Sequence, residues 1–216
     1  GRSPRYKLTT ATPRAMIALA MDSLTEIARQ VSNCTDCPLN KTRTNTVPGD
    51  GPETASIMII GEAPGYNEDQ QGRPFVGAAG RLLDQLLRSI DMKREEVFIT
   101  NTVKCRPINN RDPLLDETAA CKKYLDRQIN LISPQVIVTL GRYALSAFMP
   151  NAKISNVRGT AQNVNNQIVF PIYHPAAALR QNKFRQIISE DMQKLSTLLN
   201  SKGDPGPDDN DPKSQQ

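Results

Sequence analysis

The sequence predicts an α/β fold, a three-layer α/β/α sandwich with a central four-stranded parallel sheet. Two patterns that alternate along the chain predict it. Short runs rich in apolar and β-branched residues alternate with longer segments whose apolar residues recur at helical spacing. Because strands separated by a helix pair in parallel, this order is typical of a sheet with helices on both faces. The chain has 216 residues, 38% of them hydrophobic, so it can bury one sizeable core without disulfide bonds.

Four strands are predicted from the apolar runs, and five helices from the periodicity around them. The strands are expected at 56–60 (SIMII), 97–103 (VFITNTV), 136–140 (VIVTL) and 168–173 (IVFPIY). The helices are expected at 16–31, 77–90, 116–132, 142–149 and 184–199. On the second helix the apolar residues that fall on one face are Leu82, Leu83, Leu86, Leu87 and Ile90. This is the pattern of a helix packed against a sheet.

The two ends of the chain differ from its middle in charge. We expect residues 1–22 to form a partly ordered basic extension, 23–202 to form the folded domain, and 203–216 to be a disordered acidic tail with four Asp and one Lys. The net charge of the chain is +5, and without the tail's −3 it is +8. This excess of positive charge favours a polyanionic partner, although basic proteins of other kinds are common.

The hydropathy and composition of the chain exclude membrane proteins and wholly disordered chains. No apolar run reaches the roughly 20 residues that span a bilayer, and the N-terminal residues lack the compact apolar segment of a secretory signal. The share of apolar residues is too high for a wholly disordered chain. We therefore expect no membrane partner and a cytoplasmic location.

Polar and glycine-rich segments follow each predicted strand. The segment 61–65 (GEAPG) follows the first strand, Asn101 lies in the second, Gly141 follows the third, and His174 comes directly after the fourth. In open parallel sheets, ligands bind in the crevice outside the carboxyl ends of the strands. The sequence therefore predicts a functional site at this edge of the sheet.

The cysteines stand at Cys34, Cys37, Cys105 and Cys121, which is a C-x2-C pair followed by a C-x15-C pair. A disulfide framework is not expected in a cytoplasmic chain. Four thiolates suit zinc or an iron–sulfur cluster, and the second pair lacks the C-x2-C spacing of a zinc ribbon, which favours the cluster. A reactive pair together with two buried core cysteines is the alternative.

Several motifs occur here in a specific order. They are GEAPG at 61–65, GRPFVG at 72–77 followed by Ala79 and Gly80, NTVKCRP at 101–107 and YHPA at 173–176, with the four cysteines interleaved. In this combination the chain resembles the family 4 uracil-DNA glycosylases, from about Cys34 to Leu195. The resemblance implies a monofunctional enzyme of base excision repair that hydrolyses the N-glycosidic bond of uracil in DNA and leaves an abasic site. It also implies a structural 4Fe-4S cluster held by Cys34, Cys37, Cys105 and Cys121.

The same resemblance assigns residues to the uracil pocket. A uracil in a duplex must be flipped out and held by stacking and by hydrogen bonds to its polar edge. Phe75 is the candidate for stacking, Asn101 for reading O4 and N3–H, and His174 for donating a hydrogen bond to O2 as negative charge moves onto the base. The backbone amides of the turn that holds Gly61, Glu62 and Ala63 can also approach O2. Each side chain also has a structural alternative: Phe75 could pack in the core, Asn101 could serve to end a strand, and His174 could be a structural histidine.

The attacking water needs a polar group to hold it. The matching segments offer Glu62, Glu68, Asp69 and Asn110, of which we favour Glu62 and Glu68 as carboxylates, with Asn110 positioning the water or the sugar. Better-known uracil glycosylases carry an Asp where this chain has Ala63. The role of that single Asp is therefore not transferable to this chain.

DNA contacts are expected from two segments. Residues 174–180 resemble the loop that enters the minor groove, with Pro175, Ala176, Leu179 and Arg180 as contact residues and Leu179 or Arg180 near the gap left by the flipped nucleotide. The same residues could instead begin a helix. Lys104, Arg106 and Arg111 are candidates for phosphate contacts, or they are solvated surface charges.

The expected partner is DNA that contains uracil, single- or double-stranded, and we expect a monomer; a sliding-clamp partner is left open. The stretch 65–72 is less acidic than is usual in the family, which could change the substrate range. Two rival functions remain. One is a nucleic-acid-binding module without catalysis, and the other is a glycosylase acting on other deaminated bases, such as hypoxanthine or xanthine.

Overall fold

A computed structural model describes residues 22–203 and contains a five-stranded sheet. Its strands are β1 (Ile57–Gly61), β2 (Phe98–Asn101), β3 (Val136–Leu140), β4 (Gln162–Val164) and β5 (Gln167–Ile172). The strand order is β2-β1-β3-β5-β4. The strands β2, β1, β3 and β5 are parallel, and β4 pairs with β5 in antiparallel fashion. The three buried parallel strands β1, β3 and β5 consist almost entirely of apolar residues because both faces of the sheet are covered.

The helices alternate with these strands. They are α1 (Leu24–Ser32), α2 (Tyr66–Gln71), α3 (Ala78–Arg88), α4 (Leu115–Ile132), α5 (Gly141–Ser146), α6 (Ile154–Val157), α7 (Pro175–Arg180) and α8 (Lys183–Gly203). Short 3-10 turns lie at Pro38–Lys41, Arg94–Glu96 and Ile108–Asn110. None of the helices between residues 22 and 203 is long and apolar enough to cross a membrane.

Alternate residues of β1 face opposite layers. Ile57 and Ile59 belong to the core formed with α3 and α8, whereas Met58 and Ile60 belong to the core formed with α4. This alternation follows from the two-residue period of a strand. The predicted three-layer α/β/α sandwich is therefore confirmed.

The predicted count of four strands omits β4. This edge strand has three residues, the polar sequence QNV and no buried side chain, so it gives no hydrophobic signal. It is joined to β5 by Asn165 and Asn166, whose φ angles of +50° and +65° suit a tight hairpin turn. The four remaining strands form the parallel sheet that the sequence predicts.

The predicted boundaries are close for some elements and wrong for others. The strand predicted at 97–103 ends at Asn101. The helix predicted at 16–31 is described from Leu24, where the Ser23 hydroxyl oxygen accepts a hydrogen bond from the Glu26 amide at 3.1 Å and caps the helix. Residues 16–21, like most of the expected N-terminal extension and residues 204–216 of the expected tail, lie outside the described residues.

The register of the sheet brings the ends of its strands to one edge. Gly61 at the end of β1 pairs with Asn101 at the end of β2, and Leu140 at the end of β3 pairs with Ile172 of β5. The segments 61–65, 101–112, 141–143 and 174–180 therefore start next to one another. This edge positions the site described below.

Candidate active site

A cleft of about 450 Å³ opens at the carboxyl edge of the sheet. Its lining includes ten predicted site residues, which come from the ends of β1, β2 and β5 and the segments that follow these strands: Glu62, Ala63, Glu68, Phe75, Asn101, Asn110, Arg111, His174, Ala176 and Arg180. It also includes Pro64, Gly65, Ala79, Pro107, Asp112, Gly141, Arg142, Tyr143 and Ala177. The fold thus brings residues more than 100 positions apart in sequence into one concave site.

The ring of Phe75 lies against the end of β1. A Cβ atom at Gly61 would stand 2.7 Å from the Phe75 ring and 2.4 Å from the Asn101 Oδ1, so only glycine leaves room for both side chains. The Phe75 and His174 rings face each other with centroids 5.7 Å apart and planes inclined by 27°. Phe75 is 7% exposed and also belongs to the core, so it both packs and borders the cleft.

Asn101 presents an unpaired acceptor. The residue is 1% exposed, and within residues 22–203 its Oδ1 finds no hydrogen-bond partner. A buried amide oxygen without a donor costs about 1–3 kcal/mol, which a ligand that supplies an N–H would recover. This oxygen is therefore available to a ligand that donates a hydrogen bond.

His174 is held as a neutral imidazole. Burial, aided by the nearby charge of Arg180, lowers the pKa of His174 to about 4, against the opposing influence of Glu68. Its Nδ1 accepts a hydrogen bond from the Ala176 amide at 3.1 Å. The proton of the neutral ring is then on Nε2, which makes this nitrogen a donor at neutral pH.

Glu68 contacts three backbone amides. One carboxylate oxygen accepts hydrogen bonds from the amides of Val76 and Gly77, both at 2.9 Å, and the other accepts from the amide of Gly65 at 3.1 Å. The carboxylate thus ties the 61–65 turn to the segment that carries Phe75. These contacts support a positioning role, and the predicted role in holding the attacking water stays a prediction.

Glu62 has a less constrained carboxylate. None of the described residues donates a hydrogen bond to its side chain, whereas its backbone carbonyl accepts from the Thr102 hydroxyl at 2.6 Å. Burial raises the pKa of Glu62 to about 7, the negative charge of Asp112 adds to the rise, and Arg142 opposes it. Glu62 is therefore the carboxylate in the cleft that is free to bind a water molecule or a ligand.

Asn110 reaches the cleft from the 3-10 turn at Ile108–Asn110. Both Asn109 and Asn110 adopt φ angles of +55°, a left-handed conformation that asparagine tolerates better than most residues. The Oδ1 of Asn110 accepts a hydrogen bond from the Arg106 Nε at 2.7 Å. This leaves the amide nitrogen of Asn110 to donate.

Two of the residues predicted to contact DNA are buried. Lys104 is 1% exposed, and its Nζ donates to the Thr100 hydroxyl, the Asn101 carbonyl and the Gln128 Oε1 at 2.6, 2.8 and 2.7 Å. Its ammonium group therefore cannot reach a phosphate, and the prediction is wrong. Pro175 is buried at the first position of α7, so its ring is not presented to DNA either.

The other predicted DNA contacts lie at the surface. Arg180 lines the cleft, and Leu179 is 52% exposed beside it on α7. The stretch 174–180 is thus largely a helix, which is the alternative interpretation of that segment. Arg111 donates two hydrogen bonds to the buried carboxylate of Glu117, at 2.9 and 2.6 Å, so it neutralises this charge besides lining the cleft.

The four cysteines meet in one place. Cys34, Cys37, Cys105 and Cys121 are free thiols that line a single small cavity, together with Arg43 and Lys104. The described residues hold no group of three or more His, Cys, Asp or Glu side chains arranged to hold a metal ion directly. Burial raises the pKa of Cys121 to about 11, and it raises that of Cys105 as well. The donor set at this cavity consists of thiols, which suits an iron–sulfur cluster or zinc.

Three cleft residues were missed by the sequence analysis. Asp112 accepts hydrogen bonds from the hydroxyl of Tyr143 and, at 3.3 Å, from the Arg142 guanidinium. That guanidinium lies over the Tyr143 ring, 4.6 Å from its centroid. Arg142 and Tyr143 follow Gly141 at the end of β3, so the rule that ligands bind beyond strand ends could have found them.

Comparison with known proteins shows a family for this chain. Residues 48–196 match the family model described as "Uracil DNA glycosylase superfamily". The chain is 52% identical over 188 residues to a type-4 uracil-DNA glycosylase from Sulfurisphaera tokodaii, which covers 82% of this chain and 86% of the relative. It is 50% identical over 192 residues to one from Saccharolobus solfataricus, covering 84% and 89%. A type-5 uracil-DNA glycosylase from Thermus thermophilus is 34% identical over 48% of this chain and 53% of its own length.

The contact between Gly80 and Phe75 gives a first prediction. A Cβ atom at Gly80 would stand 1.8 Å from the Phe75 carbonyl oxygen, so Gly80→Ala must displace the segment that carries the Phe75 ring. Although alanine is the better helix former, we expect a loss of about 1–3 kcal/mol in the free energy of unfolding. Urea titration measures this loss in the free energy of unfolding. Arg81→Ala on the exposed face of α3 is the control, and an equally stable Gly80→Ala variant would contradict the packing argument.

The charges around Glu62 give a second prediction. Asp112 raises the pKa of Glu62 and Arg142 lowers it, so Asp112→Asn should move the titration midpoint of Glu62 below about 7 and Arg142→Gln should move it above. NMR of carbon-13-labelled glutamate carboxyls measures both midpoints. Asp126→Asn, on the outer face of α4, should leave the midpoint unchanged. Shifts in the opposite directions would refute this electrostatic interpretation.

Proposed function

This chain belongs to the uracil DNA glycosylase superfamily, and we propose that it is a monofunctional DNA repair enzyme that hydrolyses the N-glycosidic bond of uracil and leaves an abasic site. The observation that carries this proposal is the unpaired, buried Oδ1 of Asn101 in a cleft that also presents the Phe75 ring and a neutral His174. An acceptor, a flat apolar surface and a neutral donor are the groups that a flipped uracil requires.

Asn101 is the proposed reader of the base. Its Oδ1 accepts a hydrogen bond from uracil N3–H, and its amide nitrogen donates to O4. Cytosine has no proton at N3 and carries a donor in place of O4, so both hydrogen bonds would be lost. A site that leaves buried polar groups unpaired rejects the wrong base strongly.

Phe75 and His174 act on the two stages of the reaction. The Phe75 ring stacks on the flipped base and holds it at the cleft floor. As the glycosidic bond breaks, negative charge moves onto uracil O2, and the His174 Nε2–H donates a hydrogen bond to it. The backbone amides of the 61–65 turn approach the same oxygen. These donors are fixed before the reaction, so they stabilise the developing charge without reorganisation.

Glu62 is the proposed partner of the water and of the sugar. Its carboxylate has no protein donor in the described chain, and with a pKa of about 7 it is partly ionised at neutral pH. In that form it orients the attacking water and stabilises the positive charge that develops on the sugar. The amide nitrogen of Asn110 donates a hydrogen bond on the same side of the cleft. Glu68 holds the turn and the Phe75 segment in place.

We infer that the four cysteines hold a 4Fe-4S cluster. The convergence of four thiols on one cavity, with Arg43 Nη1 3.2 Å from the Cys105 sulfur and the Lys104 amide 3.2 Å from that of Cys121, supports an anionic thiolate site. When bound, the cluster would supply a structural cross-link between the segments around Cys34, Cys105 and Cys121. Such a cross-link would help to hold the segment after Cys105, which includes the cleft residue Asn110.

The DNA-facing surface is proposed to combine Arg106, Arg180 and the exposed Leu179. Arginine side chains attract phosphates, and Leu179 is placed to fill the space that a flipped nucleotide leaves. Action as a monomer is part of this proposal. Uracil-containing DNA, single- or double-stranded, is the substrate; a sliding-clamp partner would require a surface outside this cleft.

Loss of the His174 donor is a third prediction. Wild-type protein should release uracil from an oligonucleotide that carries one uracil, and alkaline cleavage of the abasic product reports it. His174→Ala should lower the single-turnover rate by roughly 100- to 1000-fold, since one donor to the developing charge is removed. Asp126→Asn should retain the wild-type rate.

The same assay separates the rival functions. Binding of DNA without base release by the wild type would support a non-enzymatic module. Release of hypoxanthine or xanthine, but not of uracil, would support shifted specificity. An unchanged rate in His174→Ala would exclude this histidine from the chemical step.

The cluster gives a fourth prediction. Protein purified without oxygen should be coloured and contain about four iron and about four sulfide per chain. Cys105→Ser should lose colour and iron together, because the site then has three thiolates. Ser32→Ala, close to the same cavity but not a ligand, should keep both. A colourless protein with stoichiometric zinc would overturn the proposal.

A further inference from the structure

An exposed tyrosine stands beside the cleft. Tyr66 follows the cleft residue Gly65 and begins α2, and it is 58% exposed. Among the side chains described between residues 22 and 201, it is the one aromatic residue that is more than half exposed. The proposed mechanism assigns no role to its side chain.

The Tyr66 side chain contributes little to the stability of the fold. The Tyr66 hydroxyl makes no hydrogen bond with the described residues, and the ring belongs to none of the apolar clusters. Aromatic side chains of this size are normally buried for most of their area. Its position therefore calls for an explanation other than the stability of the core.

One face of the ring is covered by an arginine. The central guanidinium carbon of Arg106 lies over the Tyr66 ring, 5.1 Å from its centroid, within the range of a cation–π contact. The Nε of Arg106 donates to the Oδ1 of the cleft residue Asn110 at 2.7 Å, so the guanidinium contacts both the ring and Asn110. Tyr66 and Arg106 together, the Tyr66 platform, thus form a flat surface that is open on one side and positively charged on the other.

We propose that the Tyr66 platform binds the unpaired base next to uracil in single-stranded DNA, an inference that rests on the proposed function. Each base of a single strand has an exposed π-face, and stacking on aromatic side chains is how proteins bind such strands without reading their sequence. The phosphate that joins this base to the uracil nucleotide is negative, which matches the charge of Arg106. In a duplex the neighbouring base is already paired and stacked, so the platform acts mainly on single strands.

The test compares Tyr66→Ala, Tyr66→Phe and the wild type on matched oligonucleotides that carry one uracil. The substrates are a normal single strand, single strands with an abasic spacer on the 5′ or on the 3′ side of uracil, and the duplex with guanine opposite uracil. The half-saturating substrate concentration and the maximal single-turnover rate of uracil release are measured. Leu115→Ala, at an exposed residue on α4 outside this cleft, is the control.

Tyr66→Ala should raise the half-saturating concentration of the normal single strand by roughly 5- to 150-fold, the size of one lost stacked base, and leave the maximal rate unchanged. Tyr66→Phe, which keeps the π-face, should behave as wild type. A spacer on one side of uracil should weaken the wild type and remove the difference between wild type and Tyr66→Ala. The effect on the duplex should be much smaller.

Three results would overturn the inference while leaving the proposed function standing. They are an unchanged half-saturating concentration in Tyr66→Ala, a loss that persists with spacers on either side, and an equal loss on single strand and duplex. A wild-type protein that releases no uracil from any substrate would instead refute the proposed function, and this inference with it. As a control on folding, Tyr66→Ala should unfold at the same temperature as the wild type.

Discussion

A buried ammonium group links the parts of this molecule that the site depends on. Lys104 is enclosed, and its three acceptors come from β2, from the Asn101 backbone and from Gln128 of α4. Burial lowers the pKa of Lys104 to about 8, so the group stays mostly charged at neutral pH and must keep all three partners. Gln128 in turn donates to the Pro48 carbonyl at 2.7 Å. The charge therefore fixes the end of β2, and with it Asn101, the proposed reader of the base, relative to the cysteine cavity.

The apolar elements of the fold could be predicted from the sequence more accurately than the elements whose bounds depend on polar contacts. The predicted bounds of β1 and β3 lie within one residue of the observed ones, since short continuous apolar runs are typical of buried strands. The run 97–103 continues past Asn101, but the strand ends there, and the polar contacts of the buried Lys104 follow. The strand β4 rests on a hairpin turn of two asparagines and has no apolar pattern.

The site could be predicted in outline because the ends of parallel strands must meet. Phe75, Asn101 and His174 share one cleft for that reason. Burial of individual side chains could not be predicted: a lysine between two motif residues looks like a phosphate contact until the three acceptors around it are known. Asp112 was missed because it lies in a loop whose path depends on the ion pair of Arg111 with Glu117.

In the proposed mechanism, the neutral state of His174 separates bond breaking from proton transfer. An imidazolium would hand its proton to the departing base, whereas an imidazole with a pKa of about 4 keeps its Nε2 proton and offers only a hydrogen bond. Uracil then leaves as an anion and takes up its proton from solvent after the bond has broken. The chemical step of this mechanism therefore transfers no proton to the base, and the acidity of the leaving base acts together with the hydrogen bonds to Asn101 in setting which bases the cleft can expel.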